Sequence, residues 1–115
     1  VTGFVPDGEG LSVTLEGGGA VPADLVLLGI GVMPESELAR SAGLALGVKG
    51  TIAVDEHMRT SCPDIYAVGD AVEVRHFVSG AKSHIALAGP ANKQGRIAAD
   101  HICGIPSTFT GSQGT

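Results

Sequence analysis

Residues 59–73 read RTSCPDIYAVGDAVE, and this stretch decides the fold. The apolar run at 65–68 predicts a short strand that ends on Gly69-Asp70. In an open sheet, ligands collect beyond the carboxyl ends of strands, where a glycine lets the backbone approach a ligand. A carboxylate beside it accepts hydrogen bonds from sugar-like hydroxyls. Gly-Asp is also typical of a turn in which the aspartate caps a following helix, so the dipeptide alone leaves both interpretations open.

The composition excludes several classes of function. The 115 residues carry 7 basic and 12 acidic side chains, a net charge of −5, which argues against nucleic acid and anionic membrane surfaces as partners. The longest apolar run, residues 25–33, is shorter than the roughly 20 residues that a membrane-spanning helix needs. The N-terminus lacks the pattern of a signal peptide. With two cysteines only, we expect a reduced, cytoplasmic protein.

The apolar patterning predicts a mixed α/β fold. Two alternating segments on either side of PDGEG indicate a hairpin, and a continuous apolar run at 25–28 is typical of a strand buried on both faces. Gly104 and Pro106 mark the end of a helix, while Ser36 or Glu35 lies at the start of another. The predicted elements are a hairpin of residues 1–5 and 11–16, strands at 25–28, 50–55 and 65–68, helices at 35–44 and 85–102, and a loop at 74–83.

The start of the helix predicted at 85–102 is a second candidate site. Free N–H groups and a partial positive charge at a helix N-terminus suit a pyrophosphate, or a carbonyl that gains negative charge. An ordinary amphipathic helix packed on a sheet is the alternative. The four histidines have no spacing that resembles a zinc or iron site, and only His84 is placed near enough to this helix start to touch a ligand.

Neither cysteine has the surroundings of a catalytic thiol. Cys62 is followed by Pro63 and Asp64, and Cys103 lies near the negative end of a predicted helix, so negative charge disfavours the thiolate in both places. The sequence also contains neither a Ser/His/Asp arrangement nor a GxGxxG motif. We therefore expect both cysteines to be structural.

Three segments in order carry a resemblance that is more specific than any one of them: ADLVLLGIGVMPES, then GTIAVDEHMRTSCPDIYAVGD, then ALAGPANKQGRIAADHI. Together they resemble the C-terminal half of the pyridine nucleotide–disulfide oxidoreductases, flavoproteins with two dinucleotide-binding domains. The run LAGPANKQGRIAAD is most similar to the branch of NADH oxidases, NADH peroxidases and coenzyme A–disulfide reductases. The resemblance covers essentially the whole chain.

The resemblance implies an α/β chain made of partial FAD/NAD(P)-binding Rossmann-like domains. Residues 1–34 would be the C-terminal end of the NAD(P)H-binding domain, and residues 35–115 the C-terminal segment of the FAD-binding domain. The cofactors of the parent protein would be FAD and either NADH or NADPH.

The resemblance also implies a cofactor site without a catalytic residue or a metal ligand. Asp70 would bond the ribityl hydroxyls of the flavin, with Gly69 allowing the approach. The start of the last helix would direct N–H groups toward the pyrimidine carbonyl of the flavin, where negative charge gathers on reduction. The cofactor-binding residues implied are Gly69, Asp70, Ala71, Leu87, Ala88, Gly89 and Ala91.

Several features of the family are not found in this sequence: both GxGxxG units, the redox-active cysteine and the C-terminal dimerisation domain. We therefore expect a fragment, inactive alone, of an FAD-dependent NAD(P)H oxidoreductase that acts on a small-molecule redox substrate. A stand-alone nucleotide-binding or interaction module without redox activity is the alternative, and a ferredoxin-reductase-like parent is a third. Because such a piece exposes strand edges, we also expect a homo-oligomer.

Overall fold

A computed structural model describes residues 1–114, which form two units. The first unit is Val1–Gly31, and the second begins at Val32. Strands make up the first unit, whereas both α-helices lie in the second. Within the described residues, no helix combines the length and the apolar character needed to cross a membrane.

The first unit is a three-stranded antiparallel sheet. Strand β1, Gly3–Asp7, pairs with β2, Gly10–Thr14, which pairs in turn with β3, Ala20–Ala23. Asp7 lies opposite Gly10, so a two-residue turn joins the first two strands, and its Gly8 has a φ of +61°, which favours glycine. The hairpin predicted from PDGEG is therefore confirmed, with strand bounds shifted by one or two residues.

The buried strand predicted at 25–28 is wrong. Leu25 is 74% exposed and Leu27 is 86% exposed, and no residue in the range 1–114 forms a β-bridge with this segment. The nearest strand, β3, ends before it at Ala23. An apolar segment becomes a buried strand only when neighbours bond its backbone and cover its faces. The apolar composition of residues 25–28 therefore predicted burial, but the first unit leaves most of their side chains exposed.

The second unit contains two helices and a short hairpin. Helix α1 is Glu37–Ser41, a single 3₁₀ turn follows at Val48–Gly50, and α2 is Ala88–Ile102. Gly104, with a φ of +75°, follows the end of α2 and donates its N–H to the carbonyl of His101. Both predicted helices are confirmed, and both are shorter than predicted.

Three predictions for the second unit are wrong. The loop predicted at 74–83 contains a hairpin of β4, Val74–Arg75, and β5, Lys82–Ser83. The strands predicted at 50–55 and 65–68 are reduced to isolated bridges, of Ile52 with Leu46 and Val72 and of Tyr66 with Arg59. A strand needs several consecutive pairs, and each segment finds a partner at only one position in the described part of the chain.

The start of α1 also differs from the prediction in detail. The Ser36 hydroxyl makes no cap hydrogen bond and instead donates to the carbonyl of Gly50, at 2.6 Å. The Glu35 carboxylate accepts the N–H of Glu37, at 3.3 Å. Of the two candidates, only Glu35 therefore serves the helix start.

The core of the second unit is small and collects side chains from distant parts of the chain. Met58, Val72, Val74, Ala98 and Phe109 are buried together. They come from a loop, the approach to β4, β4 itself, α2 and the segment after α2. The core therefore connects the segment that carries Gly69 and Asp70 to helix α2.

Candidate functional site

The turn at Gly69 and Asp70 places a free carboxylate on the surface. Gly69 has a φ of +87°, and a Cβ built on it would meet nothing within 4 Å, so the backbone conformation favours glycine and space remains beside it. Asp70 is exposed. Among residues 1–114, no side chain or backbone group donates a hydrogen bond to its carboxylate. A ligand with hydroxyl groups can therefore reach this carboxylate.

Three hydrogen bonds from other segments hold the backbone of this turn. The Gly69 N–H donates to Oε1 of Gln94, at 2.7 Å, and the Asp70 carbonyl accepts from Nε2 of His84, at 2.7 Å. The Ala71 carbonyl accepts the N–H of Ile52, at 2.8 Å. Three successive residues are thus bonded from three different segments, and such support keeps a binding group in one position before a ligand arrives.

The start of α2 offers free backbone donors. Leu87, the residue before the helix, makes no side-chain cap hydrogen bond, and the first turn contains no acidic residue. Ala91 donates its N–H to the Leu87 carbonyl, at 3.2 Å, and Pro90 has no N–H. The N–H groups of Ala88 and Gly89 are therefore the ones that the helix itself leaves free.

The two groups of candidate residues lie near each other. His84 contacts Asp70 and precedes Leu87 by three residues, so the Cα atoms of His84 and Leu87 are at most about 11 Å apart. Gln94 contributes a second connection, because it belongs to α2 and bonds Gly69. The turn residues Gly69, Asp70 and Ala71 and the helix residues Leu87, Ala88, Gly89 and Ala91 therefore belong to one region.

Sequence reasoning missed Gln94, which is 1% exposed. Its backbone lies four residues before the buried Ala98 on α2, and positions four apart share a helix face. A polar side chain on the buried face of a helix needs a hydrogen-bond partner. A glutamine on the buried face of α2 therefore indicates that its side chain has a hydrogen-bond partner, but the sequence does not identify that partner as Gly69.

Glu73 is a buried carboxylate just behind the turn. Its Oε1 lies 2.7 Å from Nζ of Lys82, and its Oε2 accepts the N–H of Val48, at 2.9 Å. Burial raises the pKa of Glu73, but the hydrogen bonds from Lys82 and Val48 outweigh it and hold the pKa below the ordinary value of 4.5. The ionised carboxylate therefore connects β5 and the 3₁₀ turn to the residue before β4.

The Glu73 carboxylate makes a testable contribution to stability. Since its pKa is lowered by folding, its contribution is present above the unfolded-state pKa and is lost as the pH falls through the folded-state value. We expect Glu73→Gln to lower the free energy of unfolding by about 1.5–3 kcal/mol at pH 7, the usual worth of hydrogen bonds to a charged group. The loss should shrink below pH 4, as measured by urea unfolding.

Glu37→Gln is the matched control for this experiment, because Glu37 is exposed and, among residues 1–114, its carboxylate only forms a surface pair with Arg40. Its stability should change little at either pH. Some acid sensitivity should remain in Glu73→Gln, because the pKa of Asp55 is also lowered. Burial raises the pKa of Asp55, but hydrogen bonds from the N–H groups of Arg59 and His57 outweigh that effect. A loss from Glu73→Gln that is equal at pH 7 and at pH 3 would contradict the assigned charge.

Comparison with known proteins identifies the family. The family model of the pyridine nucleotide-disulphide oxidoreductases matches residues 1–95. The chain belongs to this family. The predicted fold class, parts of the family's FAD/NAD(P)-binding α/β fold, is confirmed.

Individual relatives agree with this membership. The chain is 41% identical over 97 residues to an NAD(P)H sulfur oxidoreductase (CoA-dependent) of Pyrococcus abyssi, covering 84% of this chain and 22% of that protein. It is similar to the CoADR-RHD structure of Bacillus anthracis, with 52% identity, a TM-score of 0.80 and coverage of 88% and 18%. For an NAD-dependent persulfide reductase of A. fulgidus the identity is 42%, the TM-score 0.82 and the coverage 94% and 20%. The chain thus spans about a fifth of the length of these relatives.

Proposed function

We propose that the chain forms part of the FAD site of an FAD-dependent NAD(P)H oxidoreductase of the disulfide reductase or NADH oxidase type. The observation that carries this proposal is the free Asp70 carboxylate on a turn that three segments hold in place. Membership of the family supports it. The N–H groups of Ala88 and Gly89 at the start of α2 provide the second half of the site.

The residues present fit such a cofactor. The open space beside Gly69 admits a bulky group, and the start of α2 has neither a side-chain cap nor an acidic residue to compete for it. Asp70 would accept hydrogen bonds from ribityl hydroxyls, flanked by Gly69 and Ala71. Ala88 and Gly89 would donate to the pyrimidine carbonyl, with Leu87 and Ala91 beside them, and the helix end would stabilise negative charge there. When bound, FAD would supply hydride acceptance from NADH or NADPH and electron transfer to a small-molecule substrate.

The proposal extends to the organisation of the whole protein. Residues 1–34 would end the NAD(P)H-binding domain and residues 35–115 would continue the FAD-binding domain, a division supported by the boundary between the two units after Gly31. The chain alone would lack activity and would associate with a second copy. A cytoplasmic location is supported by the two cysteines, Cys62 and Cys103, which are both free.

Asp70→Ala tests the proposed site. In the full-length protein that contains this chain, we expect the substitution to weaken FAD binding by about 10-fold to 150-fold, because a hydrogen bond to a charged group is worth about 1.5–3 kcal/mol. Binding is measured by titrating the flavin-free protein with FAD and following the flavin fluorescence.

Asp64→Ala is the matched control, since Asp64 is an exposed aspartate on the same segment. It should leave FAD affinity unchanged. Equal FAD affinity of Asp70→Ala and the unsubstituted protein would overturn the assignment of Asp70. If the protein binds nucleotides but not FAD, the alternative of a nucleotide-binding module without redox activity is favoured instead.

A further inference from the structure

His84 makes a contact that the proposed flavin site does not explain. Its Nε2 lies 2.7 Å from the carbonyl oxygen of Asp70. A carbonyl oxygen only accepts hydrogen bonds, so Nε2 carries the proton and donates. His84 follows β5 directly and precedes α2. The contact therefore connects the hairpin to the turn that carries the candidate carboxylate.

We propose that His84 is a positioning residue for the flavin site, which holds the Asp70 carbonyl and thereby fixes the backbone from which the Asp70 carboxylate extends. This inference rests on the proposed function. Because no group in the described part of the chain bonds the Asp70 carboxylate, these residues can position that carboxylate only through its backbone. Gln94 and Ile52 hold the flanking residues, whereas His84 alone among residues 1–114 bonds the Asp70 carbonyl.

The hairpin holds His84 in place. Ser83, the preceding residue, pairs with Val74 in the β4–β5 ladder, and Val74 is buried in the core. Three residues beyond His84, Leu87 directly precedes helix α2. The backbone of His84 thus lies between two ordered elements, and such support lets its side chain hold a neighbouring turn.

Three substitutions at position 84 separate a hydrogen bond from simple packing. The amide nitrogen of glutamine stands the same number of bonds from Cα as His84 Nε2, whereas the amide nitrogen of asparagine stands one bond closer. We expect His84→Leu and His84→Asn to weaken FAD binding by the full-length protein by about threefold to tenfold, the worth of one ordinary hydrogen bond. His84→Gln should stay within about twofold of the unsubstituted protein.

His76→Ala is the matched control, because His76 lies between the two strands of the same hairpin and its ring bonds Ser79 rather than the turn. It should leave FAD affinity unchanged. A second measurement, amide hydrogen exchange of residues 69–72 in the flavin-free protein, should become faster in His84→Leu and His84→Asn and be restored in His84→Gln.

The outcomes separate this inference from the proposed function. If the unsubstituted protein binds FAD but all three variants match it, or if His84→Gln is as weak as His84→Leu, the positioning role is overturned. If the unsubstituted protein binds no FAD, the proposed function fails and the positioning role at a flavin site fails with it, and the exchange measurement then decides only whether His84 holds the Asp70 turn. Unchanged exchange in His84→Leu would overturn the hold of His84 on the turn, whereas faster exchange that His84→Gln restores would support it.

Discussion

Phe109→Ala should lower the free energy of unfolding of the chain by about 3–5 kcal/mol, the usual cost of removing a buried aromatic ring. Phe109 is 9% exposed and packs with Met58, Val72 and Ala98 in the small core of the second unit. Its N–H also donates to the carbonyl of Glu56, at 2.8 Å, which fixes the backbone of this residue. The measurement is urea unfolding followed by far-ultraviolet circular dichroism.

Phe77→Ala controls for the loss of an aromatic ring, because Phe77 is 65% exposed. Its effect should stay within about 0.5 kcal/mol, as for most surface substitutions. Equal losses from the two substitutions would show that the segment after α2 does not pack on the core in solution. The candidate turn would then lose part of its support, because Val72 lies in the same core just beyond it.

The elements that the sequence predicts correctly are those with strong local signals. PDGEG places a turn between two alternating segments, and the spacing of small and apolar residues together with Gly104 marks α2. The core residue Phe109 has no comparable signal. It lies after the end of α2 in an irregular segment, and its burial depends on contacts with residues far away in the chain.

The same distinction applies to the candidate site. Gly69-Asp70 stands out locally, since a glycine beside a carboxylate after an apolar run is a recognisable pattern. The residues that hold it are 25 positions away for Gln94 and 14 for His84, and periodicity carries no information at those separations. The strand predicted at 25–28 is wrong for a related reason: an apolar run shows that a segment favours burial, but it does not identify the strands that would pair with it.

Gly111→Ala is expected to cost about 2–6 kcal/mol, from two separate causes. Gly111 has a φ of +116°, where a side chain brings about 1–3 kcal/mol of backbone strain. In addition, a Cβ at this position would overlap the carbonyl oxygen of Arg75, and backbone atoms move at a further cost of about 1–3 kcal/mol. That oxygen accepts the N–H of Ser112, at 3.0 Å, so the bond that attaches this segment to β4 would break.

Gly104→Ala separates the two causes, because Gly104 also has a positive φ, +75°, but a Cβ there would meet nothing within 4 Å. It should cost only the conformational strain of about 1–2 kcal/mol. The excess loss in Gly111→Ala then measures the overlap with Arg75, and amide exchange at Phe77, whose N–H bonds the Ser112 carbonyl, should become faster in that variant alone. Equal losses of stability in the two variants, with unchanged exchange at Phe77, would contradict the pairing of Ser112 with His76. Without that pairing, a Cβ at Gly111 would not meet the Arg75 carbonyl.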